Sequence, residues 1–352
     1  DHDKADEPLT TVRASFPPRE GRTNRHPDWK GRQASDCTAN DYSASLTFTM
    51  MQPRDSKRAK PLPDPTLIEA LDNDLLLRCA SYLDADSLAR LGRASAAFGI
   101  PQAGQQRSLA NEAAHQLFRR SATDGERRCL PKNDDESDIG LYRALEQLRE
   151  PLSFDELAGR GFSPQEHPAR VTHTRGHWST AVSGHVMRGG RHFVEFTIYN
   201  DDDQNAPVVG LGVIRPVSLT DGIDLGADWW GNVNPIFVSS SHNPEVSEKL
   251  RSQRTAKWGD SNIHCCSYYC SDGDCERTDW DRGEETDYEW HGRENLDGNG
   301  TIGLLLDLDE GTLSVFNNHR RLGVMNDGGL SGEYCWFVSV LTSCVISILK
   351  RS

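Results

Sequence analysis

Two spacings of apolar residues divide the chain. From Pro65 onward Leu67, Leu71, Leu75 and Leu76 recur at helical steps, with Asp72 and Asp74 suited to a helix start. Leu83-Asp84-Ala85-Asp86-Ser87 interrupts, and Leu88, Leu91, Ala94 and Phe98 resume the step. A third helix is predicted over 109–120 and a fourth over 139–149, where Pro151 stops it. After about residue 168 the period becomes two. Val194, Phe196 and Ile198 alternate with Phe193, Glu195 and Thr197, as in a half-buried strand. Further strands are predicted over 208–214, 236–240, 302–308, 313–316, 336–341 and 345–349, with Gly, Asp and Asn between them. Many short strands joined by turn residues argue for an antiparallel β-sandwich. Residues 1–63 hold Pro and charge with no sustained period and read as a disordered arm.

Two stretches resemble known families. The run from Leu71 to Leu91, through Tyr82-Leu83-Asp84, resembles an F-box, with Asp72 where that family has Pro. Asp still starts a helix, by accepting backbone N–H bonds. In the C-terminal half, Gly190-Arg191-His192-Phe193-Val194-Glu195-Phe196, Val209–Val213, Thr301–Phe316, Arg321-Leu322-Gly323 and Trp336–Val340 follow the order of a SPRY domain. At one hairpin Asn317-Asn318-His319 stands where the SPRY family has Asn-Gly. The resulting expectation is an α+β multidomain chain: F-box-like helices over 64–104, a helical linker over 105–167, and a SPRY, concanavalin-like sandwich over 168–352. An acidic, cysteine-containing insertion is expected over 257–297.

The resemblances imply a non-catalytic substrate receptor. Leu71, Leu75, Leu76, Tyr82, Leu83, Leu88 and Leu91 would lie in or behind a contact with the Skp-type adaptor of a cullin ubiquitin ligase. SPRY loops would hold an unknown target protein, with Asp201, Asp202, Trp229, Trp230, Tyr268 and Tyr269 as loop candidates. The alternative for Trp229 and Trp230 is the sandwich core, expected of at least one of them. The rival to the whole reading is a SPRY binding module on a helical spacer with no role in ubiquitin transfer. A small-molecule enzyme is a distant third.

Charge and cysteine usage narrow these readings. Of 352 residues, 53 are acidic and 39 basic, a net −14, the wrong sign for a general binder of nucleic acid. Residues 257–297 carry a net −8, interleaved with Tyr268, Tyr269, Trp280, Tyr288 and Trp290. Such a segment is either a solvated loop or a face for a basic partner. Nine Cys suit a reducing compartment, so the expected location is cytoplasmic or nuclear. The basic run Arg54, Lys57, Arg58, Lys60 is read as a solvated tail ahead of an import signal. No apolar stretch reaches the ~18 residues of a bilayer helix. Cys266 and Cys270 have a zinc-compatible spacing without a second pair, so no metal is expected. Asp272, Asp274 and Glu276 imitate a calcium loop, but Arg277 occupies its glycine position. Nucleophile, phosphate-loop and dinucleotide motifs are lacking, and no cofactor is expected.

Overall fold

The computed structural model describes residues 71–174, 176–200, 206–282, 284–288 and 290–350. The 1–63 arm, the basic run at 54–60, and Asp201 and Asp202 lie outside the described residues. Six helices come first: α1 (Asn73–Ala80), α2 (Ala85–Ala94), α3 (Ala96–Gly99), α4 (Leu109–Ser121), α5 (Asp124–Cys129) and α6 (Asp138–Arg149). Each longer one begins at a side chain that accepts an N–H left over by the first turn. Asp72 takes that of Leu75 at 2.8 Å, so the aspartate does start the helix. Asp84 takes Ser87 N–H at 2.7 Å, and Ser137 takes Gly140 N–H at 3.0 Å. At α5, Thr123 and Glu126 cap each other reciprocally. Arg149 of α6 binds the same Glu126 at 2.7 Å and, with the cap, holds its carboxyl down at about 2.

Leu76, Ala80, Leu88, Phe98, Leu109 and Ala113 form one helical core, and Leu130, Leu141, Leu145 and Leu148 a second. The linker is therefore no spacer. Its helix α4 packs between α1 and α6, and its end is tied to the sandwich. Arg188 Nη1 donates to Glu136 at 2.6 Å, Lys350 Nζ donates to Leu148 O, and the backbone of Gly189 lies against Arg128 and Pro131.

The sandwich has two wholly antiparallel sheets. Its strands are β1 (Glu156–Ala158), β2 (Arg170–His173), β3 (Ser179–Val182), β4 (Arg191–Asn200), β5 (Val209–Ile214), β6 (Cys265–Tyr269) and β7 (Cys275–Asp279). They continue with β8 (Glu284–Tyr288), β9 (Gly300–Asp307), β10 (Thr312–Asn317), β11 (Arg320–Asn326), β12 (Cys335–Val340) and β13 (Cys344–Lys350). One sheet runs β1-β3-β12-β5-β6-β7-β8, the other β11-β10-β9-β4-β13-β2. Val194, Phe196 and Ile198 of β4 point inward against Leu211, Val213, Leu304, Trp336 and Ile346. Tyr199, on the other parity, is exposed.

Strands β3, β12, β5 and β6 of the seven-stranded sheet are buried on both faces. Behind it Ile214, Phe337, Trp229, Trp258 and Trp280 make another core. This core is roofed by residues 217–238 and by α7 (Pro244–Ser252). That is why β5 and β12 read as near-continuous apolar runs rather than alternations.

Three expectations need correction. The sandwich starts before residue 168, because β1 pairs with β3 from Glu156↔Val182 and Phe154 already sits in the core. Residues 257–297 are not an insertion: β6, β7 and β8 are integral strands of the larger sheet. The strand over 236–240 is a 3-10 turn at Pro235–Phe237, since Pro235 has no N–H for a ladder and the Asn234 side chain caps Ile236 N–H. The turn expected between β9 and β10 is present, with Gly311 at φ +70°.

Candidate functional site

The site residues expected in the helices divide by side. Leu76 and Leu88 are core, and Leu83 and Leu91 pack half-buried against them. Leu71 (42% exposed), Leu75 (47%) and Tyr82 (83%) are exposed: Leu75 lies within α1, Leu71 just before it and Tyr82 in the turn after it. Cys79, one turn after Leu75 on α1, is exposed as well. Ile100, also exposed, was not anticipated.

The sandwich candidates divide more sharply. Trp229 is buried and donates Nε1–H to Leu219 O at 3.0 Å, so it is the core member of the pair. Trp230 is 69% exposed at φ +49°, a left-handed backbone costly for a bulky residue. Tyr268 and Tyr269 are not in a loop; both belong to β6. Tyr268 is fully buried, its hydroxyl donating to Glu294 O.

Tyr269 is the floor of an aromatic face shared with Trp178, which enters β3, and Phe237, which ends the 3-10 turn. Exposed Trp230, in the connection after β5, is joined to it by the backbone, its carbonyl accepting from Asn232 Nδ2 at 3.4 Å. Val233 N–H donates to Trp178 O at 2.8 Å and Asn232 Oδ1 accepts Trp178 N–H at 3.3 Å, stitching two of these segments together. Asn234 binds both others: Oδ1 accepts Ile236 N–H at 3.2 Å, and Nδ2 donates to the Tyr269 hydroxyl at 3.1 Å. Gly210 opposite Tyr269 leaves room for the ring, because a Cβ there would stand 3.3 Å from Cζ.

The ring of Trp178 is nearly perpendicular to Phe237 (80°, centroids 5.8 Å apart) and to Tyr269 (87°, 6.2 Å). Phe237 and Tyr269 are nearly parallel, at 18° and 6.4 Å. Burial first, and then the neighbouring Glu276 carboxylate, push the Tyr269 phenol well up, so it stays protonated. Trp178 and Phe237 escaped sequence reasoning because they come from separate connections with no shared spacing.

The donor sets raised by the sequence take other roles. Cys265, Cys266, Cys270 and Cys275 are buried in and beside β6 and β7, with Cys266 and Cys275 Sγ 4.0 Å apart. Asp272–Glu276 is the β6–β7 hairpin, in which Asp272 Oδ1 accepts Asp274 N–H. Among the described residues one group, His264, Asp279 and Asp281, brings three donor atoms within 4.8 Å. It does not fit a cation. His264 Nδ1 accepts Trp280 N–H at 3.1 Å, which leaves the proton on Nε2, facing Asp281 Oδ2 at 3.7 Å. Asp281 is already paired with Arg254 at 3.1 Å. A cleft of about 370 Å³ beside α6 is lined by His185, Arg188 and Glu333, but Arg188 there is committed to Glu136 and Glu333.

No family model matches this chain, and no curated protein matches it. Among solved structures it is similar to the SPRY domain of human HERC1, with TM-score 0.37, 12% identity, and coverage of 57% of this chain and 98% of that one. It is similar to the TRIM65 PSpry domain, with TM-score 0.37, 14% identity, and coverage of 58% and 95%. A human SPRY domain gives TM-score 0.32 at 10% identity, with coverage of 55% and 97%.

Proposed function

We propose that this chain is a non-catalytic receptor that holds a target protein on the aromatic face of its sandwich. In the finer form of this reading, α1 docks on the Skp-type adaptor of a cullin ubiquitin ligase, and catalysis resides in other subunits. Proximity and orientation are then the whole contribution of the chain. The observation that carries the adaptor reading is the exposure of Leu75 on α1 and of Leu71 and Tyr82 at its two ends, while Leu76 and Ala80 of the same helix are packed in the helical core. Large apolar side chains left in water at one patch suit a partner's surface.

The test is capture by recombinant Skp-type adaptor, comparing the native chain with Leu75→Glu. Loss of capture in the variant, with both forms equally folded, supports the reading, since a carboxylate cannot enter an apolar contact without a partner. Equal capture, or none by either chain, sinks it. The target face is tested separately with Trp230→Ala, which is expected to lose partners that cross-link to the native chain.

A second reading is a SPRY-type binding module with no ubiquitin role. It is favoured by the docking of the helices on the sandwich through Glu136–Arg188 and Lys350–Leu148 O. Helices that serve their own sandwich need no adaptor.

A further inference from the structure

The three rings of the aromatic face are arranged for a more specific task than apolar contact. Their centroids, 5.8, 6.2 and 6.4 Å apart, form a nearly equilateral triangle. Its centre lies about 3.5 Å from each centroid, so a charge seated about 4 Å above the plane is about 5 Å from all three. That is inside the ~6 Å range over which an aromatic face attracts a cation. Phe237 is 40% exposed and Trp178 half-buried, so the triangle opens to solvent on their side while Tyr269 closes the bottom.

Charge points the same way. The Glu276 carboxylate stands beside the Tyr269 hydroxyl, the 257–297 stretch of the sequence that contains both is net −8, and the chain is net −14. A positive group is drawn toward this surface before any contact forms.

We infer that Trp178, Phe237 and Tyr269 form a three-sided cage for the side-chain cation of a basic protein segment, with exposed Trp230 as an adjoining platform. The inference rests on the proposed use of this face for target binding and names what that target presents. Lysine, methylated lysine and arginine share the required chemistry, a cation that can shed water against π faces.

The experiment titrates the full chain with four probes and follows the probe's proton signals by NMR. They are the N-acetyl amides of lysine, trimethyllysine and arginine, and a neutral isostere in which carbon replaces the trimethyllysine nitrogen. At least one cation is expected to bind about 5- to 30-fold more tightly than the isostere, the range that cation–π contacts support. The order among the three cations identifies the source. Phe237→Leu and Trp178→Leu should each abolish that preference, whereas Tyr269→Phe, which keeps the ring, should retain it. A thermal melt of each variant separates loss of the cage from loss of fold, and Phe237→Leu, the more exposed site, is the safer of the two.

Equal binding of the isostere overturns the cage and leaves an apolar target face. No binding by any probe also overturns it, while the Trp230→Ala comparison answers independently whether the face takes a target. Preference unchanged in both Leu variants places the cation elsewhere and overturns the assignment.

Discussion

At the scale of single residues, burial decides more than residue type. His185, His192 and His264 are all held down at about 4, in each case chiefly by burial, which penalises the charged ring. Lys350 adds to the effect at His185, while Asp281 and Asp279 oppose it at His264. The unfolded chain, with histidines near 6.5, takes up protons before the folded one does. The stability these neutral rings allow is therefore complete above pH 6.5 and is lost as pH falls through 4. Denaturant unfolding should show stability falling from pH 6.5 to 4 by about 1–3 kcal/mol per histidine, and His192→Gln should flatten the slope by one proton. A curve flat over that window would contradict the assignment. His319 shows the other side of residue context. With Asn318 it takes positive φ, +65° and +47°, in the two-residue β10–β11 turn, and its Nδ1 lies 3.0 Å from the buried Glu195 carboxylate. That contact offsets the strain that Gly would have avoided.

At the scale of elements, α1 separates two leucines that the sequence leaves adjacent. Leu76 is 4% exposed in the helical core, and Leu75 faces water. Leu76→Glu should cost about 3 kcal/mol or more, whereas Leu75→Glu should stay within about 0.5 kcal/mol of the native chain, read by thermal or urea unfolding. Equal losses would mean that Leu75 is packed rather than outward. Helices α4 and α6 and strand β4 were legible because their apolar spacing has one period and one face. Strands β6, β7 and β8 were hidden for a physical reason: Glu276, Arg277, Asp279 and their neighbours read as solvated loop, although their backbone is paired in the ladder of the larger sheet. The aromatic face was half legible. Trp230 and Tyr269 stood out by type, but which of two adjacent aromatics turns inward is fixed by backbone geometry that a periodicity does not encode.

At the scale of the whole molecule, the helices and the sandwich meet through charge as well as apolar contact. Arg188 reaches Glu136 of the helical side at 2.6 Å and Glu333 of the sandwich at 3.6 Å, and all three side chains are largely buried. Burial pushes the Glu333 carboxyl up, against the pull of Lys257 and Arg188. Arg188→Ala would leave two carboxylates facing each other with no shared cation. It should destabilise the chain by about 3–5 kcal/mol and open the junction to limited proteolysis near residues 131–137. An Arg188→Ala chain as stable and as protease-resistant as the native one would show that the junction holds without this clamp.

The short strand β1 has a consequence of its own. Only three residues long, it occupies the free side of β3 and so ends the larger sheet on that side. The same few residues follow soon after α6, so the chain leaving the helical region acts, through β1, as the sheet's selvedge. Were it peeled away, the N–H and C=O groups of β3 would be left as a template for a strand from another molecule. Sandwiches excised downstream of Ala158 would then tend to join edge to edge into chains, and β1 is what keeps each copy to itself.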